Sequence, residues 1–183
     1  MNRILALALF LILSPIFIII SLLILILDGK PIIYKSLKYG KNEKKFVLLK
    51  FRTMEVHTPK KPTQEMAEAN LYTSKLGSFL RKTSMDELPQ LVNIFLGDMN
   101  FIGPRPGLVE NEDRLHQLRK EYNVYTVMPG VTGWAQINGR DKNNYEKKAL
   151  LDKYYVENKS LILNLKILLK TFIVIFNQKL IKH

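Results

Sequence analysis

The sequence predicts a mainly α-helical chain with a small β element, an α+β fold attached to a membrane. Three observations carry this. Ile4 through Leu27 holds no charge and is interrupted only by Ser14, Pro15 and Ser21. The rest alternates short apolar runs with stretches of helical periodicity. At 183 residues the chain has the size of one domain. Its 28 Lys and Arg against 16 Asp and Glu give a formal charge of +12, with nearly all the cations after residue 29. Such a balance suits an anionic partner: an acidic membrane surface, a phosphorylated substrate or nucleic acid. Without Cys there is neither a disulfide frame nor a thiolate metal site. No repeat, low-complexity tract or linker marks a second folded region.

Taken in order, Ile4 to Leu27 comes first. As one helix it would be about 36 Å long, enough to span a bilayer of about 30 Å hydrocarbon. A cleaved signal peptide is not expected, because the apolar stretch is too long and no small-residue cleavage site follows it. Read from residues alone, this is a spanning helix kinked at Pro15, with Ser14 able to satisfy the carbonyl that the proline frees. Pro31 to Tyr34 and Phe46 to Phe51 flank a Lys-, Gly- and Asn-rich turn at Lys38 to Lys45 and predict a small hairpin. Residues 55–70, with Pro59 and Pro62, read as a loop. Leu71 to Arg81, Leu88 to Phe95 and Leu108 to Tyr122 carry helical periodicity. Gly130 to Arg140 is glycine-punctuated and reads as loops. Tyr145 to Val156 is helical, with Leu150, Leu151, Tyr154 and Tyr155 on one side. Ser160 to Phe176 closes the series: a broad apolar face, with Lys166 and Lys170 on the opposite face, predicts an interfacial helix whose lysines meet anionic lipid.

The chemistry concentrates in Leu80-Arg81-Lys82-Thr83-Ser84-Met85-Asp86-Glu87-Leu88-Pro89-Gln90-Leu91, where two adjacent carboxylates open an apolar-periodic helix. Two bland readings compete. Asp86 can serve as an N-cap with Pro89 at N3, or Ser84 and Glu87 can form a capping box. Around this run lie Lys50-Phe51-Arg52-Thr53-Met54, Gly97-Asp98-Met99-Asn100, Gly103-Pro104-Arg105-Pro106, and Pro129-Gly130-Val131-Thr132-Gly133-Trp134-Ala135-Gln136-Ile137-Asn138-Gly139-Arg140.

In this order and spacing the chain closely resembles the bacterial sugar transferases, the monotopic phosphoglycosyl transferases, from the Ser14-Pro15 break to about Lys170. Five blocks in register make the resemblance specific. It implies transfer of a sugar-1-phosphate from a UDP-sugar to a polyprenol phosphate such as undecaprenyl phosphate, with release of UMP. That step begins assembly of a lipid-linked glycan destined for glycoprotein, capsule, O-antigen or exopolysaccharide. It further implies that Asp86 is the nucleophile and forms a covalent phospho-sugar intermediate. Glu87, with Asp86, is then the site for Mg²⁺. A carboxylate is already ionised at neutral pH, so such a nucleophile needs no partner base. Two adjacent residues on a regular helix point about 100° apart, so a shared metal requires them at a helix terminus.

Arg105 is expected to bind phosphate, since its planar fork suits phosphate oxygens and two prolines stiffen its turn. Arg81 and Arg140 are further phosphate candidates. Gln136 and Asn138 are candidates for reading a uracil or sugar edge, and Asp152 for supporting the site. Lys50 and Arg52 read equally well as surface charges of the hairpin. His57, His116 and His183 match no role.

The resemblance also replaces the kinked span. Ser14-Pro15 is expected to break the helix sharply, so that residues 1–29 form a re-entrant membrane hairpin. Residues 30–183 are then the cytoplasmic catalytic domain on the inner membrane, including the interfacial helix at 160–176. Departures are Ser36 and Lys38, where relatives often carry Gln and Arg, and Met128, where Arg is common before Pro-Gly. The interfacial anchor that usually precedes the apolar run is also missing before Arg3. Lys38 keeps charge without the bidentate fork, and Met128 loses it. Expected partners are the UDP-sugar, polyprenol phosphate, anionic membrane lipid and the downstream glycosyltransferases of the pathway, with a homodimer allowed. No nucleic acid is expected, since the charge comes without a recognition motif. The rival from another class is a non-catalytic, membrane-anchored basic protein that binds nucleotide or anionic polymer.

Overall fold

The computed structural model describes residues 2–58, 72–110, 112–139 and 144–176. Eight α-helices and four short strands are defined among them: α1 (Asn2–Ile12), α2 (Ser14–Leu27), β1 (Ile33–Tyr39), β2 (Lys45–Phe51), α3 (Lys75–Thr83), α4 (Gln90–Leu96), β3 (Asn100–Ile102), α5 (Asp113–Glu121), β4 (Gly130–Thr132), α6 (Trp134–Ile137), α7 (Tyr145–Asn158) and α8 (Leu161–Phe176). The chain divides into two compact units, residues 1–36 with 47–97 and residues 37–46 with 98–183. The mainly helical α+β expectation holds.

In the first unit the apolar segment is two helices. α1 and α2 meet at Leu13 with a bend of 62°. Pro15 has no N–H for the Leu11 carbonyl, and Ser14 Oγ donates to that carbonyl instead at 2.8 Å. No single helix among the described residues is long and apolar enough to cross a membrane; α1 and α2 pass on length and composition only as a bent pair. One side of α2 is anchored by Ile20 and Ile24, which pack with Phe51 of β2 and Leu80 of α3. The other side leaves Ile18, Ile19, Leu22, Ile26 and Leu27 exposed. Large apolar side chains in contiguous exposure need a partner of their own kind.

The end of α2 is closed by a charge that follows β2. Buried Arg52 donates through Nη2 to the carbonyls of Asp28 at 2.6 Å and Gly29 at 2.7 Å. A cation there meets the negative end of the helix dipole. Ser74 caps α3 by accepting from the Gly77 amide at 2.8 Å and donates its own hydroxyl to Asp28 Oδ2 at 2.9 Å. That cap is why α3 starts at Lys75 instead of Leu71.

β1 and β2 form the predicted hairpin, longer on its first strand than the apolar run indicated. Its tight turn places Asn42 and Glu43 at positive φ. In the second unit, a bridge between Lys38 and Leu108 and the bond from Tyr39 N–H to the Gly107 carbonyl hold the hairpin tip.

Gly130 to Arg140 is not a run of loops, as far as it is described. Gly130–Thr132 pairs in parallel with Asn100–Ile102, in the register Asn100 with Gly130 and Ile102 with Thr132, and α6 follows at once. The glycines serve close approach: a Cβ on Gly130 would strike the Gly103 amide, and one on Gly133 the Gly103 carbonyl. α5 and α7 pack through Leu115, Leu118 and Ala149. α8 buries Leu163 and Ile167 against Tyr155, with Trp134, Ile102 and Val127 at the rim.

The lysines of α8 require a correction. The face opposite the exposed Leu161, Ile162, Leu165, Leu169, Phe172 and Ile173 is occupied by buried Leu163 and Ile167. Lys166 and Lys170 stand at the edge between the two faces, their ammoniums 5.5 and 5.9 Å from the centre of the Trp134 ring.

Candidate active site

The acidic pair sits between two helices, and a proline puts it there. Pro89 cannot donate to the ladder and its ring crowds the carbonyl four residues back, so a regular helix cannot run through 85–89. α3 ends at Ser84, which adopts a left-handed conformation (φ 58°). Met85–Glu87 then closes as a single 3₁₀ turn before α4 starts at Gln90. Neither bland reading is realised. The residue capping α4 is Pro89, without a side-chain bond, and Ser84 makes no capping bond either.

The two carboxylates instead converge on one ammonium. Lys50 Nζ donates to Glu87 Oε1 at 2.8 Å and to Asp86 Oδ2 at 3.4 Å. The side chains are poorly exposed, 10% for Asp86, 11% for Glu87 and 19% for Lys50. Adjacent carboxylates so far from water repel each other strongly, and the shared cation offsets that. Lys50 is therefore no hairpin surface charge. It reaches the pair because residues alternate along β2, which turns Leu48 and Lys50 to one face.

Asn93 locks this geometry. Buried in α4, it accepts from the Leu49 amide at 3.0 Å and donates to the Val47 carbonyl at 2.8 Å. Its carboxamide thus pairs with the edge of β2 as another peptide would, fixing the strand that carries Lys50 against the helix that follows the carboxylates. Nothing in the sequence distinguished this asparagine from an ordinary helical polar residue.

Arg81 lies in the last turn of α3, within the same unit. The remaining candidates belong to the second unit. Arg105 stands in its turn between buried Pro104 and Pro106 and donates from Nη1 to the Val131 carbonyl at 3.4 Å. It lines a shallow recess with Tyr39, Arg119, Tyr125 and Pro129. Gln136 is on α6 and Asn138 closes that helix, donating through Nδ2 to the Trp134 carbonyl at 2.8 Å. Arg140 falls outside the described residues, as does His183.

Asp152 is neither a surface charge nor a free acid at the recess. It is fully buried and accepts from Arg119 Nε at 2.9 Å and Nη2 at 2.6 Å, tying α7 to α5. Burial pulls the Arg119 guanidinium down, but Asp152, with Tyr125 and Glu112, holds its pKa above the ordinary value. Arg119 escaped the sequence reading because an Arg among mixed charges on an amphipathic helix reads as solvated. His116 stacks on Tyr39 with ring centres 4.0 Å apart, and its Nδ1 lies 2.9 Å from the Tyr125 hydroxyl.

Among the described residues no three acidic or histidine groups cluster as a metal cage. Asp86 and Glu87 nevertheless meet one cation together, and Mg²⁺ characteristically takes one or two carboxylates and completes its shell with phosphate oxygens and water. The residues fit that ion.

Known proteins match along the whole chain. The family model described as bacterial sugar transferase covers residues 1–178. A sugar transferase of Bacillus subtilis, EpsL, is 43% identical over 78% of this chain and 69% of its own length. The exopolysaccharide production protein ExoY of Sinorhizobium fredii is 39% identical over 87% of this chain and 76% of its own. The UDP-glucose:undecaprenyl-phosphate glucose-1-phosphate transferase of Escherichia coli is 35% identical over 92% of this chain, which spans 38% of that longer protein. By the family match over nearly its full length, this chain, with its Asp86-Glu87 pair on a 3₁₀ turn under one lysine, belongs to the bacterial sugar transferase family.

Proposed function

We propose that this protein transfers a sugar-1-phosphate from a UDP-sugar to undecaprenyl phosphate or a related polyprenol phosphate, releasing UMP. The observation that carries the reading is the paired, poorly exposed carboxylates on a 3₁₀ turn, in a chain whose relatives include enzymes named for this chemistry. An Oδ of Asp86 attacks the phosphorus bearing the sugar, and the bond from that phosphorus to the UMP oxygen breaks. UMP leaves with the electron pair. An oxygen of the polyprenol phosphate then attacks the same phosphorus and expels the Asp86 carboxylate, giving the polyprenyl diphosphate sugar. Splitting the transfer in two avoids a single encounter of three anionic groups. Arg81, in the last turn of α3, neutralises phosphate charge as it approaches, and Arg105 is a further phosphate-binding candidate in the second unit.

Glu87 and Asp86 would hold Mg²⁺, which supplies charge neutralisation at the diphosphate. Asp152 fixes Arg119 within the second unit. Incubating the protein with a panel of UDP-sugars and polyprenol phosphate, and following UMP, tests the reading. One donor should release UMP in a polyprenol-dependent manner; silence across the panel counts against it.

The bent α1–α2 pair is read as re-entrant, entering and leaving by the cytoplasmic leaflet, with α8 lying in the headgroup layer. Because the sequence has no Cys, single thiols at Asn2 and Lys41 report topology directly. Both should resist a membrane-impermeant reagent in intact cells. Labelling at Asn2 alone would establish a spanning segment.

A further inference from the structure

Lys50 occupies the position that a metal ion shared by Asp86 and Glu87 would need. Its ammonium is 2.8 Å from one carboxylate and 3.4 Å from the other, and all three side chains are largely withdrawn from water. We infer that Lys50 is a resident counter-ion of the carboxylate pair, which holds the pair together when no metal is bound and is displaced when a divalent cation enters. The inference rests on the reading of Asp86 and Glu87 as the site carboxylates.

Charge and chain mechanics support it. A divalent cation shared by the two carboxylates would compete with the Lys50 ammonium for the same oxygens. With twice the charge it draws on them more strongly than one ammonium does, and it repels that ammonium. Lysine is suited to being displaced: its charge sits at the end of a flexible four-carbon stem, with three rotatable donors and no fixed fork. The strand beneath need not move, since Asn93 holds Val47 and Leu49 by their backbone. Only the Lys50 side chain swings, with its charge left beside the site where phosphates arrive. Arg52 next along the strand cannot play this part, because it is buried and committed to the carbonyls closing α2.

A displaced competitor makes a definite prediction about metal binding without substrate. The test is Mn²⁺ binding to the full-length protein in detergent, followed by electron paramagnetic resonance with no nucleotide sugar present. Lys50→Met should bind Mn²⁺ about tenfold more tightly than wild type, because a cation competing for the same two carboxylates is gone. Lys50→Arg keeps the charge and should bind no more tightly than wild type. Thermal melting supplies a second reading. Without metal Lys50→Met should melt below wild type, and saturating Mn²⁺ should raise it more than it raises wild type. Equal or weaker Mn²⁺ binding by Lys50→Met, or no Mn²⁺ binding by any of the proteins, overturns the inference. These readouts stand apart from UMP release. A wild-type protein that releases UMP while Lys50→Met binds no tighter keeps the proposed function and loses the counter-ion. The reverse pattern keeps the counter-ion and loses the function.

Discussion

The two units each hold buried acids against a base, and the two arrangements differ in stoichiometry and in grip. In the first unit two carboxylates share one lysine, at 2.8 and 3.4 Å, with every side chain partly reachable by water. In the second, one carboxylate meets one arginine through two donors at 2.9 and 2.6 Å, with side chains 1% and 5% exposed. The second is balanced and closed, so nothing is left over for a ligand. The first is held through one flexible ammonium shared by two acids. Buried ion pairs are thus no uniform signal of function: two acids sharing one flexible lysine at a turn suit chemistry, and one acid gripped twice by an arginine between helices marks architecture.

Four experiments would break or sharpen that contrast. The largest effect is expected from Asp86→Asn, which keeps the shape and removes the nucleophile. UMP release should fall by about a thousandfold or more while the melting temperature hardly changes. Near-normal turnover would take the chemistry away from the first unit. The balanced pair should behave in the opposite way. Asp152→Ala leaves the Arg119 guanidinium buried without its counter-charge and should cost about 3–5 kcal/mol in urea unfolding. The double replacement Arg119→Met with Asp152→Leu should recover most of that loss. A penalty under about 1 kcal/mol would class the pair with ordinary surface bridges.

Smaller is the effect of Asn93→Leu, which strands the Leu49 amide and the Val47 carbonyl. It should cost about 1–3 kcal/mol of stability. UMP release should fall as well, because β2 carries Lys50. Lost stability with unchanged turnover would uncouple the strand from the site. The smallest effect concerns Tyr125, which lines the recess beside Arg119. Burial pushes its phenol up from 10.0 to about 12. The folded value lies above the unfolded one, so the associated stability is complete below pH 10 and is lost as pH rises through about 12. Absorbance at the phenolate band should show late-titrating tyrosines, Tyr125 and Tyr155 among them, with one fewer in Tyr125→Phe. A normal titration would mean that the recess is wetter than its lining implies.

Much of this was legible in the residues. A kink at Pro15 was readable because a proline's missing donor has a fixed address, the Leu11 carbonyl, and Ser14 stands within reach of it, whereas a break into two helices was expected only from the family resemblance. That Asp86 and Glu87 lie at a helix terminus was readable, but the separate 3₁₀ turn that carries them was not. What failed to be read were partners brought from far along the chain. Lys50 and Arg52 looked like solvated hairpin charges, and Asn93 and Arg119 like ordinary helical polar residues. Gly130 to Thr132 looked like loop because three residues are too short for a periodicity, and only pairing with Asn100 to Ile102 makes them a strand.

By itself, the sequence determined local conformations: where the apolar segment bends at Pro15, where the hairpin forms, and where helices run. These follow from the dihedral and hydrogen-bonding limits of individual residues, which act over a few positions of chain. Tertiary structure alone decided which charges meet. Lys50 reaches the carboxylates across 36 and 37 residues, and Arg119 reaches Asp152 across 33. The reason is that withdrawing a charge from water costs several kcal/mol, a cost offset only where the fold delivers a counter-charge, and no local pattern records that delivery.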